Sequence, residues 1–228
     1  MGAYLARWRI RAIREVRDQL DRFLNFPLNQ KISLGDYGTY DGKNCRFEWL
    51  GNVAEFGVQP KSVGMQHEIA ETYATSGKVD IQGKLNFAGD RPCVDVSFKR
   101  ASALAFRGCK IGFDQVQLVN AGKALTKAIE DGLEWNRDWV VITQLWQADG
   151  FTHLVSGSNG SCVQIEARAN SAPELFNYAD PSLGLEVTSE KSMSYCAVGL
   201  SDVLPYFAIH KLRQSPNGQW SLYKYGLS

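Results

Sequence analysis

Few side chains in this sequence could do covalent chemistry, and their spacing assembles no site. His67-Glu68 opens like the helical zinc-protease motif, but Glu71 stands where the second histidine belongs. His67, His153 and His210 lack metal-ligand spacing, so no metal is expected. Asn120-Ala121-Gly122-Lys123-Ala124 ends like a phosphate loop. Gln117, however, replaces the first glycine, and Ala124 replaces the Ser/Thr that would hold magnesium. There is no G-x-S-x-G elbow. Cys109 lies between Arg107 and Lys110, whose charges could lower its pKa and make it reactive; the alternative is a structural thiol. The sequence thus predicts no catalytic residue and no cofactor.

Two other patterns carry non-covalent chemistry. From Ala3 to Phe26, Leu5, Trp8, Ala12, Val16, Leu20 and Phe23 recur at helical spacing, and Pro27 follows. This segment holds six arginines against three acids, while the rest of the chain has a slight acidic excess. A basic amphipathic helix can lie on an anionic bilayer, with Arg7, Arg9, Arg11, Arg14 and Arg17 near lipid phosphates. It can equally pack on a sheet with its basic face in water. From Val79 the period changes to two. Val79, Ile81, Leu85 and Phe87 alternate with polar residues, then Val94, Val96 and Phe98, and later Val163, Ile165 and Ala167. Such strands read as half-buried sheet or as strands that span a membrane, for which about 9–11 residues are needed.

These patterns sit in an ordinary globular composition. The 228 residues are 44% hydrophobic and 21% charged, with a net charge of +1, which excludes collagen-like and wholly disordered chains and gives no reason to expect nucleic acid. Five cysteines without a C-x-x-C pair suit reduced thiols. The arginines interrupt any signal-like apolar run, and no stretch is long enough for a transmembrane helix. The remaining elements are short strands over Ile32–Val58, with Phe47, Trp49 and Leu50 as apolar anchors, and a second helix over Gln115–Trp135. Strands follow at Trp139–Trp146 and Phe151–Ser156, then a hairpin signal at Asn159-Gly160. Alternation returns at Leu185 and Val187 and resumes through Met193 to Ala197. Ala208–Leu212 makes a last strand. Ser62–Thr75 fits no single pattern. Helix, strands, helix, strands predicts an α+β fold: a twisted, mainly antiparallel sheet with an N-terminal amphipathic helix and further helices packed on it. One domain is expected over 1–212, with a short tail over 213–228.

The order of these segments resembles the gasdermin pore-forming domain over most of the chain. The likeness runs from the basic first helix through Val79-Asp80-Ile81-Gln82-Gly83-Lys84-Leu85 and its hairpin. It continues through a helix followed by Trp139-Val140-Val141-Ile142-Thr143-Gln144-Leu145-Trp146-Gln147, then Ser161–Ala169 and Leu185–Gly199. The resemblance implies a latent cytosolic protein that, once activated, binds acidic lipid, forms a homo-oligomer and inserts two β-hairpins per subunit. It implies membrane permeabilisation and cell death, in immunity or antiviral defence. Val79, Ile81, Leu85, Phe87, Val94, Val96, Val163, Ile165 and Val187 would then face lipid. The chain is too short for the large repressor domain of animal members and is nearer in size to the compact bacterial and fungal ones. Its first cysteine, Cys45, offers no counterpart to their N-terminal lipidated cysteine. Trp220, Leu222, Tyr223 and Tyr225 give the tail enough apolar area to act as an inhibitory segment, released by a protease in the Gln214–Gly218 turn or by a regulatory partner; the alternative is a last edge strand or a disordered end. Two other readings stay open: a soluble α+β partner-binding or scaffold protein, and an enzyme with an unrecognised site.

Overall fold

The computed structural model describes residues 2–28, 30–59, 62–86, 91–168, 177–216 and 218–226, and their side chains except those of 2–6, 62–69 and 84–86. The chain is α+β, with an N-terminal helix, a second helix and mainly antiparallel strands. Helix α1 covers Gly2–Leu20, and Trp8, Ala12, Ile13 and Val16 form its buried face. It stops earlier than the sequence pattern predicts, because Asp21 takes a left-handed φ of 55° that no helix can continue through. Phe23 keeps the helical spacing by coincidence. It belongs to strand β1 (Phe23–Leu24), paired with Tyr206 and Phe207.

The other strands are β2 (Asp36–Asp41), β3 (Arg46–Asn52), β4 (Ser62–Ala74), β5 (Val79–Asn86), β6 (Arg91–Phe98) and β7 (Leu104–Val116). After helix α2 (Leu118–Glu130) come β8 (Trp139–Ser156), β9 (Ser161–Ala167), β10 (Leu185–Lys191), β11 (Met193–Gln214) and β12 (Trp220–Lys224). An eight-stranded sheet has the order β1-β11-β8-β2-β3, with β12 also on β11 and β7 between β4 and β8. A four-stranded sheet has the order β10-β9-β6-β5.

Several boundaries differ from expectation for definable reasons. Helix α2 is shorter than Gln115–Trp135 at both ends. Strand β7 runs to Val116 before it, and Gly132, at φ 108°, follows its cap. The two strands read at Trp139–Trp146 and Phe151–Ser156 are one strand, in which Gly150 passes so close to the Ala179 carbonyl oxygen that a Cβ would lie 2.0 Å from it. Ser62–Thr75, which fits no period, is strand β4 as far as Ala74. Ala208–Leu212 is the end of a 22-residue strand. Asn159-Gly160 does turn the chain, with Gly160 at φ 74°, but it joins β8 to β9, and β9 pairs with β6 and β10.

Contacts group the chain into two units. One comprises Met1–Ala12, His67–Ile111 and Gln147–Val203, and it contains the four-stranded sheet. The other comprises Ile13–Gln66, Gly112–Trp146 and Leu204–Ser228, and it contains β1, β2, β3, α2 and β12. The first unit has its core in Val94, Val96, Phe98, Leu154, Val163 and Ile165. The second has two clusters, one around Phe23, Phe47, Ile142 and Phe207 and one around Tyr37, Leu125, Val141 and Leu212.

Candidate functional site

The four-stranded sheet gathers most of the residues expected to meet lipid. Directly opposed residues on antiparallel strands project to the same face. The register sets Ile81 against Val96, Val96 against Val163, Val94 against Ile165, and Val187 against Ile165. One face therefore carries Ile81, Val94, Val96, Val163 and Ile165, with Val79 beside them opposite Phe98. Val94, Val96, Val163 and Ile165 are buried there, and Val79 and Ile81 partly so. Each fully buried side chain of this kind contributes about 1.5–3 kcal/mol. Val187 shares the face by register but is 38% exposed, on the outer strand next to a bulge. The main chain of Leu85 pairs with Pro92. Its side chain, and Phe87 as a whole, lie outside the described residues.

The alternate residues are mainly polar, with Cys93, which is buried, and Cys162 among them. Asp80, Gln82 and Ser97 are exposed, while Asp95 and Gln164 are half-buried. Gln82 donates to Asp80 at 2.8 Å, Thr188 donates to Gln164 at 3.2 Å, and Arg168 reaches Glu186 at 2.8 Å. The sheet is thus apolar on one face and hydrogen-bonding on the other. It consists of two sequential pairs, β5–β6 and β9–β10. Among the described residues its outer strands, β5 and β10, have no second neighbour within it.

Helix α1 uses its arginines unequally. Arg7 and Arg11 are exposed and have no hydrogen-bond or ion-pair partner among the described residues. Arg14 is exposed, with Nη2 at 3.4 and 3.3 Å from the carbonyl oxygens of Gly42 and Lys43. Arg17 is bound to Asp18 at 2.9 Å, and Arg9 is half-buried. Trp8, on the opposite face, stacks on Tyr195 with ring centroids 5.7 Å apart, and Tyr195 meets the edge of His153 at 5.3 Å. His153 also faces Phe151 at 6.3 Å. It is fully buried, and among the described residues neither ring nitrogen has a partner; desolvation pushes its pKa down to about 3.

The tail residues form the last strand of the larger sheet. Strand β12 pairs with β11 from His210↔Lys224 to Gln214↔Trp220. Trp220 and Leu222 pack on the cluster around Leu125 and Leu212. Tyr225 sits against Phe23 and Tyr40, with centroids at 6.3 and 5.7 Å, and Tyr223 is exposed. Lys224 forms an ion pair with Asp21, the residue that ends helix α1. The turn before β12 is held by Ser215 donating through its N–H to the Gln219 carbonyl at 2.8 Å.

Of the two readings of Cys109, burial favours the structural thiol over the reactive one. Desolvation is the largest influence on its thiol, Asp180 and Asp149 also push it up, and Lys110 and Arg107 only partly oppose them. Among the described residues no group of three or more His, Cys, Asp or Glu could hold a metal, and no helix is long and apolar enough to cross a membrane. The latter says nothing about crossing with strands.

Sequence reasoning missed the exposure of β3. It placed Trp49 and Leu50 as anchors with Phe47, but only Phe47 is buried. A bulge opposite Tyr37 and Gly38 leaves Leu50 without a partner on β2, and one sequence does not reveal a bulge.

No protein-family model and no curated protein matches the chain. Among solved structures, it is similar to a chain of the gasdermin A3 membrane pore determined by cryo-EM. The identity is 12%, over 96% of this chain and 94% of that one, with a TM-score of 0.29. That identity and TM-score are too low to carry a function from the pore to this chain.

Proposed function

We propose that this chain is a latent, non-enzymatic pore-forming protein that binds acidic membranes, oligomerises and permeabilises them with the strands of its four-stranded sheet. One observation carries the reading: two sequential strand pairs share a single apolar face, have a hydrogen-bonding opposite face, and leave both outer strands open within their sheet. A barrel wall needs those three properties. In the latent state the apolar face lies in the core, and in the membrane lipid would take the place of that core. The strands have 7–8 residues, against about 9–11 for a spanning strand, so insertion would lengthen the pairs into the connecting segments 87–90 and 168–184.

Arg7, Arg11 and Arg14 would supply the first electrostatic capture, each worth about 1 kcal/mol near an anionic surface. The tail would act as the restraint. Through Lys224 and Tyr225 it holds Asp21 and Phe23, the residues by which the chain leaves helix α1. A protease acting in the Ser215–Gln219 turn, or a regulatory partner, would release it. In this reading the protein waits in the cytoplasm, moves to the membrane on activation, and serves cell death or defence.

The test is dye release from acidic and zwitterionic liposomes, using the full chain with a protease site placed in the 215–219 turn. Release confined to acidic liposomes and dependent on cutting is the expected result. Complete cutting with membrane binding but no release would refute pore formation and favour a partner-binding protein.

A further inference from the structure

Strand β3 ends its side of the larger sheet and, among the described residues, pairs only with β2. Such an edge presents a row of open N–H and C=O groups and is a ready template for another strand. Most edges are blunted, but this one carries Trp49 and Leu50, 57% and 48% exposed. Leu50 is the bulged residue, between Trp49 opposite Gly38 and Gly51 opposite Tyr37, and β3 runs so close to Gly38 that a Cβ there would lie 1.9 Å from the Glu48 carbonyl oxygen. The regular part of the edge therefore lies before the bulge, over Arg46, Phe47, Glu48 and Trp49. Arg46 and Glu48 are exposed two residues apart, on the same side of the strand. Arg46 makes no ion pair among the described residues, and Glu48 only accepts a 3.5 Å hydrogen bond from Thr39.

We propose that β3 is a self-association edge, on which two copies of this chain pair antiparallel about a two-fold axis at Phe47. In that register Arg46 of each copy faces Glu48 of the other, giving two opposite-charge cross-strand pairs from one short segment. The segment is its own charge complement, which selects a second copy over an unrelated strand. Pairing also covers Trp49, which flanks the matched positions on both sides. No membrane is involved, so this pairing stands or falls apart from the proposed permeabilisation.

Sedimentation of the full chain in solution, at low and high salt, tests it. The wild-type chain should show a monomer–dimer equilibrium that weakens with salt. Arg46→Glu or Glu48→Arg alone places like charges opposite each other and should weaken the dimer roughly tenfold or more. The double variant, Arg46→Glu with Glu48→Arg, restores both pairs and should recover the wild-type constant. Trp49→Ser should weaken the dimer at every salt concentration. All three positions are on the surface, and circular dichroism checks that the fold is kept. Three results would overturn the proposal: a chain that stays monomeric at all concentrations, a dimer indifferent to the single reversals, or a double variant as weak as the single ones. An edge that binds an added extended peptide while the chain itself stays monomeric would overturn it too.

Discussion

The four-stranded sheet and helix α1 are both amphipathic, and the reading brings both to a membrane, yet they prepare for it differently. The sheet pools its apolar residues. Val94, Val96, Val163 and Ile165 come from two strand pairs far apart in sequence and meet in one cluster. Helix α1 divides its charges. Among the described residues Arg7 and Arg11 have no partner, Arg14 lies near two carbonyls, and Arg17 is bound to Asp18. Burial in a shared core is cooperative, so the sheet should be rigid and costly to open. An exposed guanidinium costs little to redirect, so the helix should act first and the sheet later. A row of like residues in sequence thus says more about what is buried together than about which charges are available.

Substitutions can break this contrast. Val96→Asp puts an unpaired charge into the shared core and should cost more than about 4 kcal/mol in urea denaturation, enough to unfold the chain. If it cost under about 1 kcal/mol, the apolar face would not be the core of its unit. Arg7→Gln with Arg11→Gln should leave the fold intact and weaken binding to acidic vesicles by about 2 kcal/mol, roughly 30-fold. Arg17→Gln should weaken it much less, because Asp18 already occupies that charge. Equal effects from the two would mean that the division of charges is irrelevant to capture.

A titration sharpens the contrast further. Trp8 holds the helix to Tyr195 and through it to His153, whose pKa is pushed down to about 3 by burial. The neutral ring is favoured in the folded state, and between about pH 6.5 and 3 the unfolded chain binds the extra proton. Stability is therefore full above pH 6.5 and falls as the pH drops, by roughly 1 kcal/mol at pH 5.5. His153→Phe should remove most of that slope. His210, pushed down to about 4, has the same sign and keeps a remainder. An unchanged slope in His153→Phe would place the acid sensitivity elsewhere.

The sequence made much of the sheet legible, because a period of two is a local property that burial on one face enforces. It also placed helix α1 and marked Asn159-Gly160 as a turn. What it could not show was long-range. The Asn159-Gly160 turn suggested a hairpin, but partner choice is set by the whole sheet, and β9 pairs with β6. Phe23 extended the helical spacing by accident, while Asp21 had already ended the helix with a positive φ. The bulge that leaves Leu50 without a partner is a matter of register with another strand, which the sequence of β3 alone does not carry. The engagement of Tyr225 with Phe23 joins the two ends of the chain, a contact no local pattern encodes.

The smallest expected effect is at Val187, where exposure of 38% means that Val187→Cys should change stability by no more than about 0.5 kcal/mol. That tolerance makes it the best reporter of the central claim. Val187 lies opposite Ile165, on the face expected to meet lipid, and Glu186 beside it lies on the other face. A fluorophore at Val187→Cys, with Cys162 and Cys196 replaced, can be attached to the folded chain and followed on acidic vesicles that carry nitroxide-labelled lipid. The expected result is quenching at 187 that rises together with dye release, and none at a label on Glu186→Cys. Dye release with an unquenched label at 187, or equal quenching at 186 and 187, would contradict the claim that this sheet face enters the bilayer.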